Sequence, residues 1–161
     1  MKKKNYIWYF VNLISAIGFQ SLVFADAEMS KGVGPISSLK LEKVDSAMAA
    51  SGKKTFEAKC SACHKLSEKY VGPALKDVTK RRSPEWVMNM ILNPVEMTEK
   101  DPVAQDLLSQ FLTQMTFQNV SKDDARAILE YFREVDEGKS AAAPTEGEHA
   151  KKADSKGKKK K

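Results

Sequence analysis

Cysteine and histidine are scarce in this chain: Cys60, Cys63, His64 and His149 are the only ones in 161 residues. A structural zinc site needs four such ligands, and His149 lies in a lysine-rich tail far from any plausible core. Period-two alternation is missing too, which removes the strand–helix setting of a thioredoxin-like redox pair. The chain also lacks a folded basic surface. Of its net charge of +6, Lys2, Lys3 and Lys4 carry +3 and residues 139–161 carry +5, leaving −2 for residues 26–138. A nucleic-acid partner would want basic residues interleaved with aromatics on a folded face, so no nucleic-acid function is expected.

What is present is concentrated in Cys60-Ser61-Ala62-Cys63-His64. Cys-x-x-Cys-His is the arrangement through which a haem is covalently attached. Cysteines three apart on a helical turn bring both sulfurs to one edge of a porphyrin, where they can add to its two vinyl groups. His64, four residues after Cys60, shares that face and is the candidate metal ligand. Both cysteines of the chain are used by this one motif.

Residues 1–25 read as an export signal. Lys2, Lys3 and Lys4 precede a mostly apolar stretch from Tyr6 to Phe24, and Val23-Phe24-Ala25 offers a peptidase site, so cleavage after Ala25 is expected. The stretch is nearly long enough to span a bilayer, although Asn12, Ser15, Gln20 and Ser21 dilute it, and an uncleaved anchor is the alternative. Either way the haem-bearing part is expected outside the cytoplasm, in the periplasm.

Composition divides the remainder. Residues 26–46, with Gly32, Gly34, Pro35 and several serines, read as a disordered leader, and residues 139–161 as a disordered Lys-rich tail. The tail is either a solubilising run or an electrostatic tether giving peripheral membrane contact with anionic lipid. Between them, residues 47–138 form one domain, small for a core made only of side chains, so a buried haem would supply much of the apolar surface that folding needs.

The expected fold is all-α. Ser51 is a candidate cap for a first helix running into the haem motif. Ser83-Pro84-Glu85 starts a helix that Asn93-Pro94 ends, and Asp101-Pro102 starts another reaching about Thr113. Ser121-Lys122-Asp123-Asp124 resembles a capping box for a last helix, which runs to about Asp136 and stops near Gly138.

On these residues the chain resembles the class I c-type cytochromes, single-haem bacterial electron carriers, over most of residues 49–137. The resemblance implies a small helical fold around one covalent haem c, with Gly52 and Phe56 of the first helix crossing Ile128, Tyr131 and Phe132 of the last. Gly72-Pro73-Ala74-Leu75 is similar to the loop whose proline carbonyl accepts the proton of the ligating imidazole. That makes Pro73 the candidate partner of His64 and Leu75 a candidate for packing on the haem. Four methionines follow the motif. Met88 and Met90 fall in a helix and read as core filler; Met115 has the placement from which the family presents its axial thioether; Met97, in a polar stretch, is the reserve. Thr116 stands where many relatives have proline.

If His64 and Met115 fill both axial positions, the iron has no vacancy for substrate, and the thioether favours the ferrous state. Arg81, Arg82 and Trp86 are candidate hydrogen-bond donors to the haem propionates. Lys65, Lys69, Lys76 and Lys80 with the two arginines form a candidate docking ring for an acidic partner. The resemblance thus implies a non-enzymatic electron shuttle between redox proteins, such as a quinol-oxidising donor and a terminal reductase or oxidase as acceptor. The segment from Arg82 to Pro94 is similar to cytochromes found beside respiratory reductases, including nitrous-oxide reductase. The alternative is a haem-based sensor or peroxidase-like module with an open sixth position.

Overall fold

A computed structural model describes residues 29–139, so the expected export signal and most of the Lys-rich tail lie outside the described residues. Among the described residues six helices follow in order: α1 Ser46–Lys59, α2 Val78–Arg81, α3 Pro84–Leu92, α4 Pro94–Lys100, α5 Pro102–Phe111 and α6 Lys122–Asp136. Among the described residues there is no strand, and the fold is all-helical as the sequence implied.

Local chemistry explains most helix starts. The Ser83 side chain accepts from the Trp86 N–H at 3.1 Å, with Pro84 at the first helical position of α3. Asp101 accepts from the Ala104 N–H at 2.9 Å at the start of α5. Ser121 and Asp124 form a reciprocal capping box on α6. Two expectations are corrected. The cap of α1 is Asp45, which accepts from Ala47 N and Met48 N at 2.9 and 3.0 Å, and Ser51 lies inside the helix. Asn93-Pro94 ends α3 but also starts α4, because a proline that cannot continue one helix is well placed to begin the next.

The core forms where α1 crosses α6. A Cβ on Gly52 would lie 1.9 Å from the Ala127 carbonyl oxygen and 2.7 Å from Ile128 N, so only glycine permits this approach. One turn on, Phe56 packs tilted against Tyr131 and edge-on against Phe132, with ring centroids 5.7 Å apart in both pairs. The C-terminal end of α6 reaches the short α2, where Asp136 accepts from Asp77 N, Thr79 N and the Thr79 hydroxyl at 2.6, 3.1 and 2.6 Å.

The expected disorder of residues 26–46 is also corrected over its described part. Residues 29–45 form an ordered strap of coil laid across α3, α4 and α6. Its backbone groups are met by buried side chains of the domain. Asn89 accepts from Ile36 N at 3.0 Å and donates to the carbonyls of Lys31 and Ile36 at 2.9 Å each, and Glu85 accepts from Leu39 N at 2.8 Å. Further along, Arg133 donates to the Glu42 carbonyl at 2.7 Å. Glu130, fully buried, pairs with both Arg126 and Arg133 at 2.6 and 2.7 Å. Val33, Ile36 and Leu39 then pack against the core.

Candidate haem site

The haem motif leaves the end of α1 in a tight turn. Cys60 N–H donates to the Phe56 carbonyl, and Cys63 and His64 donate to the Cys60 carbonyl at 3.1 and 2.9 Å. These helix-like bonds hold the two thiols and the imidazole along one short arc. Residues 65–76 then fold back: Gly72 N bonds the Cys63 carbonyl at 2.8 Å, and Lys76 N bonds the Leu66 carbonyl at 2.8 Å. That return brings the Pro73 carbonyl beside the imidazole of His64. His64 Nδ1 lies 3.2 Å from the Pro73 carbonyl oxygen, the distance at which the Nδ1–H tautomer donates and leaves Nε2 unprotonated.

Gly72 does a second job that its neighbours in sequence do not reveal. A Cβ there would lie 2.4 Å from His64 Cε1 and 2.8 Å from Nδ1, so the backbone itself forms one wall of the imidazole slot. Burial pushes the His64 imidazole below its ordinary pKa, opposed in part by the Pro73 bond, which keeps the ring neutral as metal coordination requires. Burial likewise pushes the Cys60 thiol up, with Lys59 opposing and Cys63 adding to the rise.

Cys60, Cys63, His64, Leu75, Trp86 and Met115 all line one cavity of about 400 Å³. Pro73, Arg81, Arg82, Met90 and Phe132 complete parts of its wall. An apolar cavity of this size, with two thiols and a neutral imidazole at its margin, fits a porphyrin and its iron. Leu75, half-buried against the core, sits in that wall.

The methionines sort clearly. Met97 is fully buried in α4, its sulfur accepting from Val33 N at 3.0 Å, and it does not line the cavity. Met97, the reserve ligand expected from the sequence, thus turns its sulfur to the strap and not to the cavity. Of the other three, Met88 is core and Met90 lines the cavity from mid-helix. Met115 lines it from the coil between α5 and α6. Gln114 ties that coil to α4, accepting from the Thr98 hydroxyl and donating to the Met115 carbonyl at 3.1 and 3.0 Å.

The propionate donors need one correction. Trp86 Nε1–H donates to Asp101 Oδ1 at 3.0 Å, so the indole is committed behind the wall and is not a propionate donor. Arg81 donates to the Lys76 and Ala74 carbonyls at 2.6 and 3.1 Å and so braces the loop after Pro73. Arg82 lies over the Trp86 ring, 5.4 Å from its centroid. Both guanidinium groups keep donors to spare at the cavity. The expected docking ring is broken at Lys80, which pairs with Asp77 at 2.7 Å and lines a separate small cavity beside Asp136. Lys65 and Lys69 lie over Tyr70 and Phe111 at 5.3 and 4.4 Å.

The family model for cytochrome c matches residues 49–136. The chain belongs to the cytochrome c family. Among solved structures it is similar to cytochrome c from Rhodothermus marinus at 45% identity, covering 65% of this chain and 91% of that one, with a TM-score of 0.64. An engineered form of that protein, bound to a carbene intermediate, matches at 44% identity over the same shares with a TM-score of 0.61. A cytochrome c domain from Pseudomonas putida matches at 28% identity, covering 53% of this chain and 88% of that domain, with a TM-score of 0.50. No curated protein matches. Membership of the cytochrome c family implies haem-based electron transfer and a covalently held haem c, with which Cys60 and Cys63 are consistent. Cytochromes c are typically carriers rather than enzymes, and bacterial ones usually work outside the cytoplasm. Among the described residues no helix is long and apolar enough to cross a membrane.

Proposed function

We propose that this cytochrome c shuttles single electrons in the periplasm between respiratory redox proteins, through one haem c joined to Cys60 and Cys63 and ligated by His64 and Met115. The observation that carries the reading is the shared cavity: both thiols, the neutral imidazole and the Met115 side chain line it, while the rival Met97 sulfur is bonded elsewhere. The iron would supply the chemistry by alternating between its ferrous and ferric states. The protein's part is positional. The Pro73 carbonyl orients the imidazole, Gly72 fixes the plane of its slot, and Gln114 holds the backbone from which Met115 projects. Two filled axial positions leave no vacancy for a substrate, which favours a carrier over an enzyme.

Export and partners belong to the same proposal. The basic and apolar start of the chain, ending at Ala25, supports translocation, and haem attachment requires it. Partner docking falls to the surface lysines that follow the haem motif, Lys65 and Lys69, which stand over Tyr70 and Phe111, the latter a residue of the cavity wall; the donor would be a quinol-oxidising complex and the acceptor a terminal reductase or oxidase. The Lys-rich tail adds an electrostatic contact with anionic lipid.

Met115→Ala tests the ligand set. Loss of the weak long-wavelength band of a methionine–ferric bond, a lower potential and new carbon monoxide binding in the reduced state are expected. An unchanged spectrum would overturn the assignment, and rapid carbon monoxide binding by the unaltered protein would favour a sensor. Intact mass of exported material checks both one covalent haem and removal of residues 1–25.

A further inference from the structure

A carboxylate sits just behind the cavity wall. Asp101 is 2% exposed, and the partners of its oxygens are neutral donors: the Trp86 indole at 3.0 Å, the Ala104 N–H at 2.9 Å and the Ser30 hydroxyl at 2.9 Å. Charge in so little water is costly unless hydrogen bonds and helix dipoles offset it. Here three donors and the N-terminal end of α5 do so, and hydrogen bonds such as these stabilise without neutralising. The full negative charge therefore stays behind the Trp86 ring, which itself lines the cavity.

Two of its partners, Trp86 and Ala104, line the space the porphyrin would fill, so the carboxylate lies directly behind that wall, where little solvent intervenes to weaken the field of its charge. Salt in bulk solvent screens such a buried site poorly. We infer that Asp101 is the residue that sets the redox poise of this protein downward: its buried charge stabilises the oxidised, more positive iron, while its bonds to Trp86 and Ser30 fix the wall and the strap in place. The inference rests on the haem occupying the cavity, as proposed above. It explains why the indole N–H is spent on a carboxylate behind the wall and not left free within the cavity.

The test separates charge from position. Asp101→Asn keeps an oxygen acceptor for Trp86 and Ala104 and nearly the same shape; it removes the charge and turns the acceptor of the Ser30 hydroxyl into a donor, a change whose own effect Ser30→Ala measures. Spectroelectrochemical titration of the holoprotein should show its equilibrium constant for reduction raised about tenfold, equivalent to a potential about 59 mV higher for a one-electron couple. Asp101→Ser, which retains a cap for α5, serves if the asparagine variant fails to fold and should shift the potential the same way. Ser30→Ala removes a strap bond without touching charge and should shift the equilibrium less than about threefold. The direction of the Asp101→Asn shift should persist at high salt. A potential unchanged or lowered in both Asp101 variants overturns the inference, as does an equal rise in Ser30→Ala. Failure of the underlying reading looks different: intact mass would then show no covalent haem in the unaltered protein.

Discussion

Gly52→Ala puts the helix crossing to a direct test, because two effects of known sign oppose each other at one atom. Alanine is the better helix former, worth about 1 kcal/mol in favour of the variant. Against this, the new methyl would lie 1.9 Å from the Ala127 carbonyl oxygen and 2.3 Å from its carbon. To restore even the 3.4 Å of ordinary contact, α1 and α6 must part by about 1.5 Å. The obstacle is backbone inside a helix, which has no rotamer to yield. Parting the helices also loosens Phe56 from Tyr131 and Phe132, the aromatic centre of the core. Overpacking of this kind costs about 3 kcal/mol, so a net loss of about 2 kcal/mol is expected. For a domain of this size that lowers the midpoint of thermal unfolding by about 8 to 16 °C, followed by circular dichroism on the holoprotein. Ser51→Ala, one residue away on an exposed part of the same helix, gains propensity without the clash and should be neutral or slightly stabilising. If Gly52→Ala proves as stable as Ser51→Ala, the two backbones do not meet here and the account of the core is wrong.

Acid should expose the role of Asp101 in stability. Burial alone would raise its carboxyl, yet the bonds from Trp86, Ala104 and Ser30 prevail and hold it below the ordinary aspartate value. A group depressed in the folded state stabilises above its unfolded pKa, about 3.9, and loses that contribution as pH falls through the folded value. Urea midpoints measured from pH 6 downward should therefore fall less steeply for Asp101→Asn below about pH 4, and parallel profiles would remove the carboxylate from the acid response. Glu130→Gln leaves Arg126 and Arg133 facing each other across a buried site, at a cost of about 3 kcal/mol. Faster hydrogen exchange along residues 40–45 should accompany the loss, since both arginines also donate to strap carbonyls; unchanged exchange there would show that the strap does not depend on the triad.

What could be read from the sequence was local. Ser83-Pro84, Asp101-Pro102 and Ser121 with Asp124 each carry their helix start within four residues, and Cys60, Cys63 and His64 carry the haem motif within five. Pro73 needed only a nine-residue return. The strap was illegible because its order is supplied from elsewhere: Gly32, Pro35 and the serines do make coil, and the atoms that fix that coil belong to Glu85 and Asn89, about fifty residues on. Met97 misled for a related reason. Its neighbours Glu96, Thr98, Glu99 and Lys100 suggest a loop, but a seven-residue helix needs only one buried face, and Pro94, Met97 and Thr98 form it. Trp86 lines the cavity while its N–H bonds Asp101 behind the wall, and sequence cannot say on which side of a ring an N–H finds its partner.

The strap also has a mechanical logic that follows from the cavity. A helix lining a space meant for a cofactor gains little packing on that side from protein atoms, so its position must be held from behind. Helix α3 shows the division: Trp86, Val87 and Met90 line the cavity, whereas Glu85 and Asn89, one turn apart, grip the strap. Hydrogen bonds suit this task better than apolar contact, because they fix direction as well as distance. Asp101 extends the same grip to α5 through Ser30 and Ala104. An electron carrier works best when its ligands and walls move little between oxidation states, and in this chain the stiffness of the wall is imported from a segment that never touches the cavity.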